Sequence, residues 1–147
     1  MKATFDNSVQ VLVQAFLNGT LEKGNCAACA VGNLVAAAKG ITYTSYPGNI
    51  YGHRVKPTQD KIGKWYSNIF LKGIKNLPTP EGLAEILTTG YTVREITAIE
   101  SAFEDASSAQ GAIGEFSGLM AVVDVLAKIH SVDLTRAETA KRLFVKA

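Results

Sequence analysis

The chain has 147 residues, of which 47% are hydrophobic and 19% charged, a composition typical of a globular protein and not of a disordered segment. A net charge of +2 is too small to indicate a nucleic-acid-binding protein by itself, and two cysteines are too few for a disulfide framework. Residues 1–7 become polar too early for a signal peptide, so we expect a single cytoplasmic domain over residues 1–147.

A first helix is predicted near the N-terminus, where apolar residues recur with the spacing of one helix face. These residues are Val9, Leu12, Val13, Phe16 and Leu17. Asp6 or Asn7 can cap the start of this helix, and Gly19 can end it.

A second helix is predicted over residues 25–38, with Asn25 as its N-cap and Gly40 at its end. Its side chains are unusually small, so another element can approach it closely. From Ile41 to Pro57 strand propensity is high, but strict alternation is short and turn residues follow. We expect a structured loop there, which can include a short extended piece.

A third helix is predicted to begin near Thr58, because the helical apolar spacing returns there. Its apolar face consists of Ile62, Trp65, Tyr66, Ile69 and Phe70. Thr79 and Pro80 are typical of the start of a further, short helix that ends at Gly90.

Three more helices are predicted in the C-terminal part of the chain. Thr92 and Glu95 form a capping box at the start of a fifth helix, and residues 105–114 are expected to form a polar loop. Thr135 and Glu138 form a second capping box at the start of a C-terminal helix. Between the polar loop and the C-terminal helix lies a helix that is apolar almost all round, which indicates a buried element. Its apolar residues are Leu119, Met120, Val122, Val123, Val125, Leu126 and Ile129.

The sequence therefore predicts an all-α protein, a single irregular bundle of about six or seven helices around a buried central helix near the C-terminus. The central apolar stretch, residues 119–129, is interrupted by Asp124 and Lys128 and is shorter than the roughly 20 residues of a membrane span. We expect no membrane association.

The pair Cys26 and Cys29 invites three interpretations. A cysteine near a helix N-terminus has a lowered pKa, as in redox dithiols, but the βαβ context of thioredoxin-like motifs is missing. His53 and His130 would complete four zinc ligands, although their spacing matches no zinc-finger pattern. We expect the third interpretation, two thiols packed on a small-residue helix, with no metal and no cofactor.

No catalytic motif accompanies these residues, and no catalytic residue is predicted. The candidate binding surface is instead a basic stripe in a stretch where six basic residues oppose one acidic residue, Asp60. The basic stripe consists of Arg54, Lys56, Lys61, Lys64, Lys72 and Lys75. It can contact phosphates or an acidic protein surface, or it can be an ordinary solvated lysine face.

Residues 24–36 and 118–127 resemble small uncharacterised proteins from phage and prophage regions. The two segments cover about a sixth of the chain. The resemblance implies a host-directed or regulatory binding role, and it implies no fold, cofactor or site residue.

We therefore expect a non-enzymatic binding or regulatory protein that contacts a protein partner or a second copy of itself. The alternatives are a nucleic-acid-associated protein that uses the basic stripe, and a metal- or thiol-dependent protein centred on Cys26 and Cys29.

Overall fold

A computed structural model describes most of the chain, namely residues 3–23, 28–48, 54–58, 84, 86–107 and 112–145. The elements in chain order are α1 (Phe5–Asn18), α2 (Ala30–Lys39), β1 (Tyr43–Ser45), β2 (Val55–Pro57), α3 (Val93–Ala106), α4 (Ala112–Ile129) and α5 (Leu134–Val145). Helices dominate, which confirms the predicted all-α class. Among the described residues, no helix is long and apolar enough to cross a membrane.

The core is centred on α4, which contacts α1, α3 and α5. Leu119, Val122, Val123 and Leu126 of this helix have no exposed surface. The predicted central helix is thus confirmed, but it is not buried all round, because Asp124 and its neighbours on the opposite side reach solvent. Residues of all five helices contribute to one contiguous apolar cluster.

The closest helix pairing is that of α3 with α4, and Gly118 makes it possible. A Cβ atom at Gly118 would lie 2.8 Å from the Phe103 carbonyl oxygen and 2.9 Å from Phe103 Cδ1. Both distances are shorter than van der Waals contact, so a side chain here would push the helices apart.

Several predicted helix ends are confirmed. The Thr92 hydroxyl accepts a hydrogen bond from the Glu95 amide at 3.2 Å, and the Glu95 carboxylate accepts one from the Thr92 amide at 2.9 Å, which is the predicted capping box. Gly19 and Gly40 end α1 and α2 with left-handed φ angles of 71° and 69°.

The predicted N-caps of α1 and α5 are wrong. The cap of α1 is Thr4, since Asp6 and Asn7 already lie inside the first turn. The cap of α5 is Asp133, whose carboxylate accepts a 2.8 Å hydrogen bond from the amide three residues on, so that Thr135 is also inside the helix. In both places more than one oxygen-bearing side chain lies within one turn, and the earliest one caps the helix.

The second helix begins later than predicted, because its N-cap is Cys29 and not Asn25, and Ala30 is its first residue. The polar loop predicted for residues 105–114 is shorter than expected, since α3 continues to Ala106 and α4 begins at Ala112. The predicted third helix and the start of the predicted fourth helix fall on residues 59–83, outside the described part of the chain. Residues 86–88, in the predicted fourth helix, are helical as expected.

The segment expected to be a structured loop contains a small antiparallel hairpin, in which Thr44 lies opposite Lys56. Glu22, in the connection after α1, holds this hairpin. One carboxylate oxygen accepts hydrogen bonds from the amides of Arg54 and Val55, both at 3.0 Å, and the other accepts from the Arg54 amide at 2.9 Å. The hairpin is therefore fastened to the helical core through its main chain.

Candidate functional site

A cleft of about 510 Å³ lies between α1, α2 and the start of the hairpin. Its volume falls within the range of small-ligand sites. The lining residues are Gln10, Val11, Gln14, Ala15, Asn18, Thr20, Asn33, Ala36, Ala37, Ile41, Thr42 and Tyr43. None of them is charged; amides and hydroxyls surround an apolar floor of mostly small side chains.

One wall of the cleft is a row of amide side chains on α1. Gln10, Gln14 and Asn18, here called the carboxamide row, are spaced four residues apart and are all exposed. Four residues advance a helix by about 6 Å, so the three side chains leave α1 at regular intervals. Gln14 Nε2 donates a 2.9 Å hydrogen bond to Asn18 Oδ1, which fixes the orientation of both groups.

The back of the cleft is held by Asn33, which is buried in α2. Its Nδ2 donates hydrogen bonds to the carbonyl oxygens of Thr20, Ala28 and Cys29, at 2.9, 3.0 and 3.2 Å. These bonds satisfy main-chain acceptors on both sides of the connection between α1 and α2. Asn33 thereby fixes the angle at which the two helices diverge to form the cleft.

The opposite wall includes Tyr43, supplied by β1 and packed against the core. Burial raises the pKa of the Tyr43 hydroxyl, and the neighbouring Cys29 adds to the increase. Tyr43 is therefore neutral at physiological pH.

Cys29 and Glu100 form a buried polar pair. The Gly32 amide donates to Cys29 Sγ at 3.3 Å, and the thiol lies 3.5 Å from Glu100 Oε2, to which it donates. Glu100 Oε1 is buried and has no hydrogen-bond partner among the described residues. Burial is the main cause of the raised pKa of Glu100, about 8, and the Glu104 charge contributes.

Burial, followed by the charge of Glu100, also raises the pKa of Cys29 well above its usual value. The Gly32 amide lowers this pKa, but it does not outweigh burial. Cys29 is thus a protonated thiol at neutral pH and a poor nucleophile. This environment is opposite to the lowered thiol pKa that the helix-terminus argument predicted for Cys26, which lies outside the described residues.

Of the four residues considered as zinc ligands, the structure describes Cys29 and His130. Cys26 and His53 lie outside the described residues, while His130 lies against Tyr91, with His130 Nε2 2.8 Å from the Tyr91 hydroxyl. In the described ranges, no three His, Cys, Asp or Glu side chains come together as metal ligands. The described part of the chain therefore contains no assembled metal site.

His130 belongs to a hydrogen-bonded chain that links three elements. The Tyr91 hydroxyl lies 2.5 Å from Ser8 Oγ of α1 and also contacts His130, which follows α4. Ser8 and Tyr91 are only 4% and 3% exposed, whereas His130 is half-buried. The three side chains therefore join α1 to a residue just before α3 and to the residue after α4.

Of the basic stripe, the described part of the chain contains only Arg54 and Lys56. Both are exposed on the hairpin, where Lys56 Nζ lies 5.5 Å from the centre of the Tyr46 ring. The other members, Lys61, Lys64, Lys72 and Lys75, lie outside the described residues, so the stripe as a surface stays a prediction.

Neither the cleft nor the role of Glu22 in attaching the hairpin beside it was predicted from the sequence. The one sequence pattern that relates to the cleft is the recurrence of Gln10, Gln14 and Asn18 every four residues on the polar side of the first helix.

The chain matches no family model, no curated protein and no solved structure.

Proposed function

We propose that this protein is a non-enzymatic binding or regulatory protein, that the cleft between α1, α2 and the hairpin is its binding site, and that the ligand is part of a partner protein. The supporting observation is the lining of the cleft. It combines an uncharged polar rim with a floor of small apolar residues, which suits recognition by hydrogen bonds and shape.

The location of the reactive side chains supports binding rather than catalysis. Cys29 has no exposed surface, Glu100 is 5% exposed, and Ser8 and Tyr91 are equally enclosed. A catalytic acid, base or nucleophile must come within hydrogen-bond distance of substrate. Their hydrogen bonds go to one another, to the Gly32 amide or, for Tyr91, to His130.

The phage-type resemblance of residues 24–36 and 118–127 supports a regulatory partner in the host cell, and we propose a cytoplasmic location on the same basis. A test of location is fractionation of cells that express the tagged chain, with the soluble cytoplasmic fraction as the expected result.

The binding proposal can be tested by selecting a display library of short random peptides on the purified full chain. Ala37, which is exposed in the cleft, is changed to Trp to fill it; Ala98, exposed on α3, is changed to Trp as the matched control. We expect peptides that bind the wild type and A98W but not A37W. Failure to find any cleft-dependent peptide would overturn the proposal.

The same preparation decides between partner classes. Labelled DNA and RNA are titrated at low and moderate salt, with Lys56→Glu as the variant that reverses an exposed charge of the basic stripe. Nucleic-acid binding that weakens steeply with salt and is lost in K56E would replace the protein partner by a nucleic acid. Sedimentation that shows a dimer lost in A37W would identify a second copy as the partner.

A further inference from the structure

We propose that the cleft recognises an extended, uncharged segment of its partner, and that the carboxamide row (Gln10, Gln14 and Asn18) pairs with the main chain of that segment. This inference rests on the proposed function and specifies the conformation and chemistry of the ligand.

The spacing of the carboxamide row matches the repeat of an extended chain. Gln10, Gln14 and Asn18 are separated by steps of about 6 Å along α1. Main-chain groups on one side of an extended peptide recur every two residues, or about 6.6 Å. The row spans about 12 Å, the length of roughly four extended residues. The three side chains therefore leave α1 at about the interval at which the outward-facing peptide groups of an extended chain recur.

The hydrogen-bonding capacity of the row also fits a main chain. Because Gln14 Nε2 donates to Asn18 Oδ1, Gln14 Oε1 is left as an acceptor and Asn18 Nδ2 as a donor. Neither atom has another partner within the described part of the chain. One acceptor and one donor, adjacent and fixed in orientation, are what a peptide N–H and C=O require.

The other surfaces of the cleft favour an uncharged extended segment over a charged or helical one. None of the lining residues that the structure describes carries a charge, so a charged ligand side chain would lose water without gaining an ion pair from them. A helix has its main-chain groups already paired and offers none to the row. Ala15, Ala36 and Ala37 leave room on the floor for alternate side chains of an extended segment.

The experiment uses peptides from the random library whose binding is lost in A37W. We expect their bound stretch to be uncharged. Gln14→Ala or Asn18→Ala should weaken binding about tenfold, the effect of losing one hydrogen bond. Asn7→Ala, an exposed carboxamide on α1 that does not line the cleft, is the matched control and should leave affinity unchanged.

Replacing single peptide N–H groups by N-methyl groups tests the extended conformation directly. Affinity should fall at every second position and be retained at the positions between them. Cleft-dependent peptides that bind Q14A and N18A as well as wild type, or that show no alternation, would overturn this inference and leave the binding site standing. Absence of any cleft-dependent peptide would instead remove the proposed function itself.

Discussion

Replacing Glu100 by Gln should abolish a pH dependence of stability that arises from one buried carboxyl group. The pKa of Glu100 is raised from 4.5 to about 8 in the fold, mainly by burial. The folded protein therefore holds this proton more tightly than the unfolded chain does. As pH rises from about 4.5 to about 8, the unfolded state gains by ionising and the free energy of unfolding falls.

The size of the effect follows from the same two pKa values. Each pH unit in this interval costs the fold about 1.4 kcal/mol, so Glu100 lowers the stability by about 3 kcal/mol between pH 4 and pH 7. Gln keeps the shape of the side chain and does not titrate. The E100Q variant should consequently gain about 3 kcal/mol relative to the wild type over that range.

The assay is urea unfolding followed by circular dichroism at several pH values between 4 and 7.5, for wild type, E100Q and Ser101→Ala. Ser101 is the adjacent exposed residue of α3 and carries no titratable group, so S101A should differ from wild type by a constant amount. The reasoning is refuted if the gap between E100Q and wild type stays constant with pH or narrows as pH rises.

Two further predictions concern packing and the buried hydroxyl chain. Gly118→Ala should cost about 1–3 kcal/mol of stability, because the new Cβ meets the Phe103 carbonyl oxygen. Ser117→Ala, on the exposed side of the same helix, is the control and should be near neutral in thermal denaturation. Equal melting temperatures of the two variants would contradict the close approach of α3 and α4. Tyr91→Phe should cost about 1–3 kcal/mol by leaving buried Ser8 without its partner, and adding Ser8→Ala should recover part of that loss in a double-mutant cycle. Strict additivity of these two changes would mean that the hydroxyls are not coupled.

Local rules predicted the parts of the fold that depend on a few consecutive residues. The Thr92–Glu95 capping box is reciprocal, so its two halves specify one helix start and it was located correctly. Asp133 and Thr135 are two possible N-caps within one turn, and the sequence alone does not rank them. Cys29 was missed as a cap because a thiol rarely fills that role, and its identity as an N-cap depends on the Gly32 amide that it meets.

Apolar spacing was informative about helices and less so about which side of each helix is buried. Val9 and Leu12 are buried as the pattern predicts, but Leu17, at the end of the same pattern, is 49% exposed. The periodicity continues to the end of α1, whereas the core against which it packs does not. Burial at a helix end depends on the lengths and angles of its neighbours, which spacing does not encode.

The candidate site could not be predicted from short-range sequence patterns for the same reason. Its walls come from α1, α2 and the hairpin, and their separation is fixed by Asn33 and Glu22 through main-chain contacts. A side chain that binds a distant carbonyl or amide leaves no pattern in the sequence around it. Only the four-residue repeat of the carboxamide row was visible, and nothing in the sequence placed a cavity beside it.

The two positions that attach the hairpin, Glu22 and position 54, should differ in their tolerance to substitution. Glu22 binds amide groups, which every residue except proline possesses, so the side chain at position 54 can drift without loosening the hairpin. The acid itself has no such freedom, because a neutral or shorter side chain at position 22 gives up charge-assisted hydrogen bonds. Tolerance to substitution should therefore be broad at position 54 and narrow at position 22, so the exposed side chain beside the strand can diversify while the attachment of the hairpin stays fixed.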